Sequence, residues 1–169
     1  MKVILGFAGL FLSLNVFSAS SFADPNLDCL NSSNQVMTNY NNAQVAQWKT
    51  SLPRQALNRA YVEGTIDKLF PNQTGHTHFS LKIDANTADD LEIIYNDEFG
   101  TLPHLAIGTN MVVCGDFINT GYGGGGGSPD GAIVHWTHYN PDTRPSDAGH
   151  ANGYILINRV PYGFSAPNN

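Results

Sequence analysis

Three of the chain's six histidines fall within sixteen residues. Two lie in Ala132-Ile133-Val134-His135-Trp136-Thr137-His138-Tyr139-Asn140-Pro141, and the third, His150, follows twelve residues after His138. Histidine is the side chain best suited to metal ligation and proton transfer near neutral pH, so chemistry is expected here. His135 and His138 are three apart and on a regular strand would face opposite sides. A sharp turn within 137–141, which Asn140-Pro141 favours, would bring both imidazoles to one spot. His150 would join from the next loop and His76 from the rim of an earlier strand. Three histidines and a water suit a catalytic zinc or another divalent metal. This reading makes His135, His138 and His150 the metal ligands or catalytic groups, and His76, Asn96, Trp136 and Tyr139 ligand-binding neighbours. The two-residue gap between His135 and His138 is shorter than in standard zinc pairs, and no cysteine pair supports the site.

Two other readings compete. Imidazoles can cap a barrel end by bonding backbone carbonyls and loop hydroxyls, with Trp136 in the core opposite His135 and Tyr139 as a lid. Alternatively, His78-Phe79-Ser80 and His135-Trp136-Thr137 both have the His-x-Ser/Thr form of two-histidine phosphoesterases. There, one imidazole activates a nucleophile and the other protonates the leaving group. Carboxylate pairs such as Asp89-Asp90 and Asp97-Glu98 sit in polar turns and read as solvated. His104, after Pro103, reads as a surface residue.

The elements that must position these groups are β-type. Residues 24–50 are rich in Asn, Gln and Ser, yet Val36, Met37, Tyr40, Ala43, Val45, Ala46 and Trp48 recur at helical intervals and predict one helix, ended by Ser51-Leu52-Pro53. Strands are predicted near 60–69, 76–83, 91–95, 111–118 and 132–137, with 153–160 a possible sixth. Phe79, Leu81, Ile83, Val113 and Ile133 are expected to point inward. Residues 99–107 form a connector. The glycines 123–127 read as a mobile loop, not a phosphate loop, because no Lys and Ser/Thr follow and no helix opens after them. Five short strands with a connector between the third and fourth fit a small five-stranded Greek-key barrel of the oligonucleotide/oligosaccharide-binding (OB) type, preceded by a helical segment. The expected division is a signal peptide at 1–23, a helical segment at 24–53, the barrel at 54–162 and a flexible tail at 163–169.

Lys2 followed by the apolar residues 3–17 has the form of a secretory signal, and Ser21-Phe22-Ala23 places small residues where cleavage occurs. The apolar stretch is too short for a stable span and no later run approaches that length. A periplasmic or secreted chain of about 146 residues is therefore expected, in one domain. Its formal net charge of −6 becomes one unit more negative once Lys2 is removed. That charge disfavours nucleic acid, although the fold allows it; a small or polymeric ligand is the expected partner. Cys29 and Cys114 read as a disulfide tying the N-terminal segment to the body, the alternative being a buried free Cys114 on an apolar strand.

Two resemblances sharpen this. Gly75-His76-Thr77-His78-Phe79-Ser80-Leu81-Lys82-Ile83-Asp84 resembles the second strand, and Gly108-Thr109-Asn110-Met111-Val112-Val113-Cys114-Gly115 the fourth, of OB-folds in nucleic-acid enzymes such as the exonuclease VII large subunit. The stretch from about Arg54 to Tyr162 resembles an exported bacterial family known as domain of unknown function 3465. The match is carried by Val62 and Gly64, by Gly-x-His near the second strand, by Asn96, by Gly131 to Pro141 with its His-Trp-Thr-His, and by His150 to Tyr154. The polyglycine insertion and His78 depart from that pattern. The family brings no activity with it. The functional expectation is thus an exported ligand-binding OB-like barrel with a histidine-rich site of a kind able to hold a metal. The alternatives are a hydrolytic enzyme acting on phosphodiesters and a non-catalytic envelope protein.

Overall fold

A computed structural model of the chain describes residues 27–51, 58–84, 90–120, 127–143, 145 and 148–166. The segment expected to be a signal peptide, Leu52-Pro53, most of the polar turn expected up to Asp89, the glycines 123–126 and the last three residues lie outside the described residues. Helix α1 (Asn42–Ser51) precedes strands β1 (Asn58–Leu69), β2 (His76–Lys82) and β3 (Asp90–Asn96). A 3-10 turn (Asp97–Phe99) follows, then β4 (Asn110–Asn119), β5 (Ala132–His135), β6 (Tyr154–Ile157) and β7 (Val160–Tyr162). The strand order β1-β2-β3-β5-β4 closes through a β1–β4 pairing, with β3 and β5 parallel. This is the predicted five-stranded barrel. β6 and β7 extend it outward from β4. No described helix is long and apolar enough to cross a membrane.

Alternation fills the interior. Phe79 and Leu81 from β2, Leu91, Ile93 and Tyr95 from β3, Val113 and Phe117 from β4, and Ala132 and Val134 from β5 have no exposed surface. Ile133, predicted inward, is partly exposed instead. The β5 phase is the reverse of the expected one, and since strand side chains alternate with period two, Ile133 shares the outer face with His135.

The helix starts later than its periodicity predicts. Val36, Met37 and Tyr40 precede it, because the Asn31 side chain accepts hydrogen bonds from the Ser33 and Gln35 N–H groups at 2.9 and 3.0 Å and folds that stretch into a turn. The neighbouring asparagines have a structural task. Asn41 Oδ1 accepts from the Tyr61 N–H and its Nδ2 donates to the Arg59 carbonyl; Asn42 bonds both the Glu63 N–H and the Glu63 carbonyl. They satisfy backbone groups along β1 that would otherwise form an open sheet edge. Val45 of α1 is then fully buried in the core, and Trp48 packs on Phe117.

The predicted sixth strand, 153–160, is divided by a turn. Asn158 and Arg159, at φ 51° and 69°, make a tight turn between β6 and β7, the geometry that two-residue hairpins favour. β7 thus begins where the predicted strand was expected to end.

Cys29 and Cys114 are disulfide-bonded, with α-carbons 5.7 Å apart. The bridge lies outside the barrel in a second buried cluster with Tyr154, flanked by Leu27, Met37 and Phe164. A Cys29→Ser/Cys114→Ser double variant is expected to lose about 4 kcal/mol of stability, because the closed loop is long. The shift in urea midpoint of the variant against the oxidised protein measures it.

Candidate functional site

β5 stops at His135 because Trp136 takes a left-handed backbone, φ 50°. This is a costly conformation for a bulky residue, and the surroundings hold it in place. The Thr137 hydroxyl, fully buried, donates to the Ile94 carbonyl at 2.9 Å and pins the corner to β3. Gly153 donates its N–H to the His138 carbonyl at 2.8 Å. A Cβ on Gly153 would overlap the Trp136 carbonyl oxygen and lie 2.5 Å from that of Cys114. Only glycine lets the two loops close against each other. The predicted turn is therefore present, but it begins at Trp136 and not at Asn140-Pro141. Asn140 ties the loops together instead, accepting no strain of its own: its N–H donates to Asn152 Oδ1 and its Nδ2 to the His150 carbonyl.

The turn opens a cavity of about 370 Å³ at the barrel end, lined by Thr74, Gly75, His76, Asn96, Glu98, Phe99, His135, Trp136, His138 and Pro141. Five of the predicted site residues, His76, Asn96, His135, Trp136 and His138, therefore share one cavity. The His76 and His135 ring centroids are 5.9 Å apart. Asn96 caps the 3-10 turn, its Oδ1 accepting from the Glu98 N–H at 2.9 Å. The Tyr95 hydroxyl donates to the Phe99 carbonyl, which holds Phe99 as a wall on which His138 stacks at 4.1 Å. Burial pushes the Tyr95 phenol up to about 12.

Two predicted members do not line this cavity. Tyr139 contributes backbone: its N–H donates to the Gly163 carbonyl and its carbonyl accepts from His138 Nδ1 at 2.7 Å. His150 lies flat on Trp136, centroids 3.5 Å apart, with Nδ1 2.5 Å from Asp116 Oδ2. The other oxygen of Asp116 accepts from Arg59 Nη1, and both side chains are 3% exposed. Arg59 also donates to Cys114 Sγ and to the Asn152 carbonyl. His150 thus belongs to a buried ionic network that supports Trp136. Among the described residues, no three His, Cys, Asp or Glu side chains are placed to share a metal ion. The set His135, His138 and His150 is not brought into one cavity: His135 and His138 line it, and His150 lies outside it, stacked on Trp136.

The paired His-x-Ser/Thr elements also separate. The Ser80 hydroxyl is buried without a partner and the Thr137 hydroxyl is committed to Ile94, so neither reaches the cavity. His78 bonds Glu92 Oε1 through Nδ1 at 2.8 Å. Sequence reasoning missed Arg59, Glu92 and Asp116. The available signal was a charge inside an apolar strand, Leu91-Glu92-Ile93 and Gly115-Asp116-Phe117, since such a charge is retained only when partnered.

His76, His78, His138 and His150 each direct Nδ1 at an oxygen acceptor: the Thr74 carbonyl, Glu92, the Tyr139 carbonyl and Asp116. In a neutral ring so held, Nδ1 carries the proton and Nε2 is the acceptor. His135 differs. No described residue hydrogen-bonds either of its ring nitrogens, and its pKa is lowered from 6.5 to about 4, first by burial and then by the nearby rings of His138, His76, His150 and His78. It is neutral at any physiological pH. No family model, curated protein or solved structure matches the chain, so the site is read from its own geometry.

Two outcomes follow. A ring-resonance titration should place the His135 midpoint near 4. The unfolded chain takes up this proton near pH 6.5, so stability is complete above that value and falls as pH drops from about 6.5 to about 4. The loss is about 3 kcal/mol, and His135→Phe should remove that part of the acid limb in urea midpoints. Gly153→Ala should cost about 2–3 kcal/mol by overpacking and displace the His150–Trp136 stack, seen as loss of ring-current shifts on His150.

Proposed function

We propose that this is an exported binding protein of the OB type that takes a small polar ligand, rich in hydrogen-bond donors, in the cavity beside His135. The observation that carries the reading is the His135 ring itself. It is neutral, its ring nitrogens hydrogen-bond no described residue, and it faces a cavity of ligand size. A hydroxyl, amide or amine bound there can donate to its unprotonated ring nitrogen. Imidazole nitrogens and the Glu98 carboxylate supply hydrogen-bond acceptors, while Phe99 and Trp136 supply flat apolar walls. Export, and kinship with the family that the His-Trp-Thr-His element resembles, are part of the same proposal.

The phosphodiesterase reading is less well supported, because both hydroxyls of its motif are buried and neither lines the cavity beside His135. The metal reading is also less well supported, because among the described residues no three candidate ligand side chains are placed to share an ion. The test is histidine side-chain NMR with glucose, N-acetylglucosamine, putrescine and free amino acids as probes, alongside Zn(II). At least one organic probe should move the His135 resonances saturably, and His135→Phe should abolish its binding. Silence at His135 across the organic probes would overturn the reading, as would binding confined to Zn(II).

A further inference from the structure

We infer that this cavity is one end of a groove that holds an extended, uncharged oligosaccharide. The inference rests on the ligand-binding reading above and names its substrate class. A second cavity, of about 450 Å³, lies on the same outer face of β2, β3 and β5. It is walled by Phe70 and Gln73 from the β1–β2 connection, His78, Glu92 and Ile94 from the strands, and Pro129 just before β5.

The register makes the two cavities neighbours. His76 is paired with Asn96, His78 with Ile94, and Glu92 with Ile133. The intervening residues Phe79, Leu91, Ile93 and Val134 point into the core, so the paired set lines one continuous outer face. A row of imidazoles crosses the junction: His78 walls the second cavity, and His76 lies 6.4 Å from it and 5.9 Å from His135. From His76 to His78 the face runs about 7 Å along the strand, and the second cavity continues it to Phe70 and Pro129.

The chemistry of the walls selects the polymer. Neither cavity is lined by Lys or Arg, and the charged groups present are Glu92 and Glu98. With the net charge of −6, that arrangement repels phosphodiester and uronate chains, whose binding depends on cations. Sugar hydroxyls can donate to Glu92 and to the imidazole Nε2 atoms, and the C–H faces of the rings can pack on Phe70, Ile94 and Trp136. Glu92 is fixed for this by its 2.8 Å bond to His78.

The experiment is calorimetric titration of the intact mature protein with cellohexaose and chitohexaose, with their monosaccharides, and with polygalacturonate and a single-stranded oligothymidylate as polyanions. One hexasaccharide should bind at least tenfold tighter than its monosaccharide and move both His78 and His135 resonances. Phe70→Ala, at the far cavity, should remove that tenfold gain. A hexasaccharide that binds no tighter than its monosaccharide would overturn the groove while leaving the single-site reading standing. Tighter binding of either polyanion would overturn the polymer class. If no sugar binds, the inference falls, and the amine and amino-acid probes decide the single-site reading separately.

Discussion

The buried carboxylate of Asp116 is the constraint on which the rest depends. It is 2% exposed, and its two oxygens are taken by Arg59 and His150. Stranding a charge at such a depth costs about 3–5 kcal/mol, so neither partner can leave cheaply. Arg59 is the direct cross-strand neighbour of Asp116 on β1, and His135 its neighbour on β5. One carboxylate therefore fixes the side chains at the seam of the barrel. Through Arg59 it reaches the disulfide sulfur of Cys114 and the carbonyl of Asn152. Through His150 it sets the plane on which Trp136 rests. The N-terminal segment, the closing pair of strands and the wall of the cavity are held by one connected set of bonds.

Much of the fold was legible because strand alternation is a local signal. The five barrel strands, the inward set Phe79, Leu81 and Val113, and the Cys29–Cys114 bridge all follow from residue type and order. What was not legible was decided by partners distant in sequence. The phase of β5 was misread because Ile133 is as apolar as Val134. The choice between them is made by Gly115 on β4, which lets the β5 backbone come so close that a Cβ there would sit 2.6 Å from the His135 carbonyl oxygen. The start of α1 was misread because Asn31 folds the chain back locally, and no hydrophobic periodicity registers a side chain that bonds backbone. β7 was missed because three residues with Pro161 at their centre carry no strand periodicity, although a proline is compatible with an outer strand.

The candidate site divides in the same way. The sequence grouped His76, His135 and His138, and the cavity contains all three. It also grouped His150, whose ring serves a different task. Residue type cannot separate an imidazole that faces a ligand from one that supports a wall, because the difference lies in what receives the Nδ1 proton. For His150 the acceptor is on β4, thirty-four residues away. For His138 it is the carbonyl of the next residue, which no sequence pattern marks. His78 was weighed as half of a catalytic motif, and it bonds Glu92 on the neighbouring strand and walls the second cavity on the outer face of the sheet.

The left-handed turn at Trp136 explains why histidines three apart meet at all. A strand continued through 138 would alternate, placing His135 on the outer face and His138 on the core side. A buried imidazole there would displace apolar contacts. Breaking the strand at Trp136 costs about 1–3 kcal/mol of backbone strain, and the Thr137–Ile94 bond, the Gly153 contact and the His150 stack offset it together. The break carries His138 round onto Phe99, leaves His135 open to the cavity, and presents the Trp136 ring to both the cavity and His150. The strain is thus held where the cavity is made, and the Asp116 network supplies the rigidity that keeps it there.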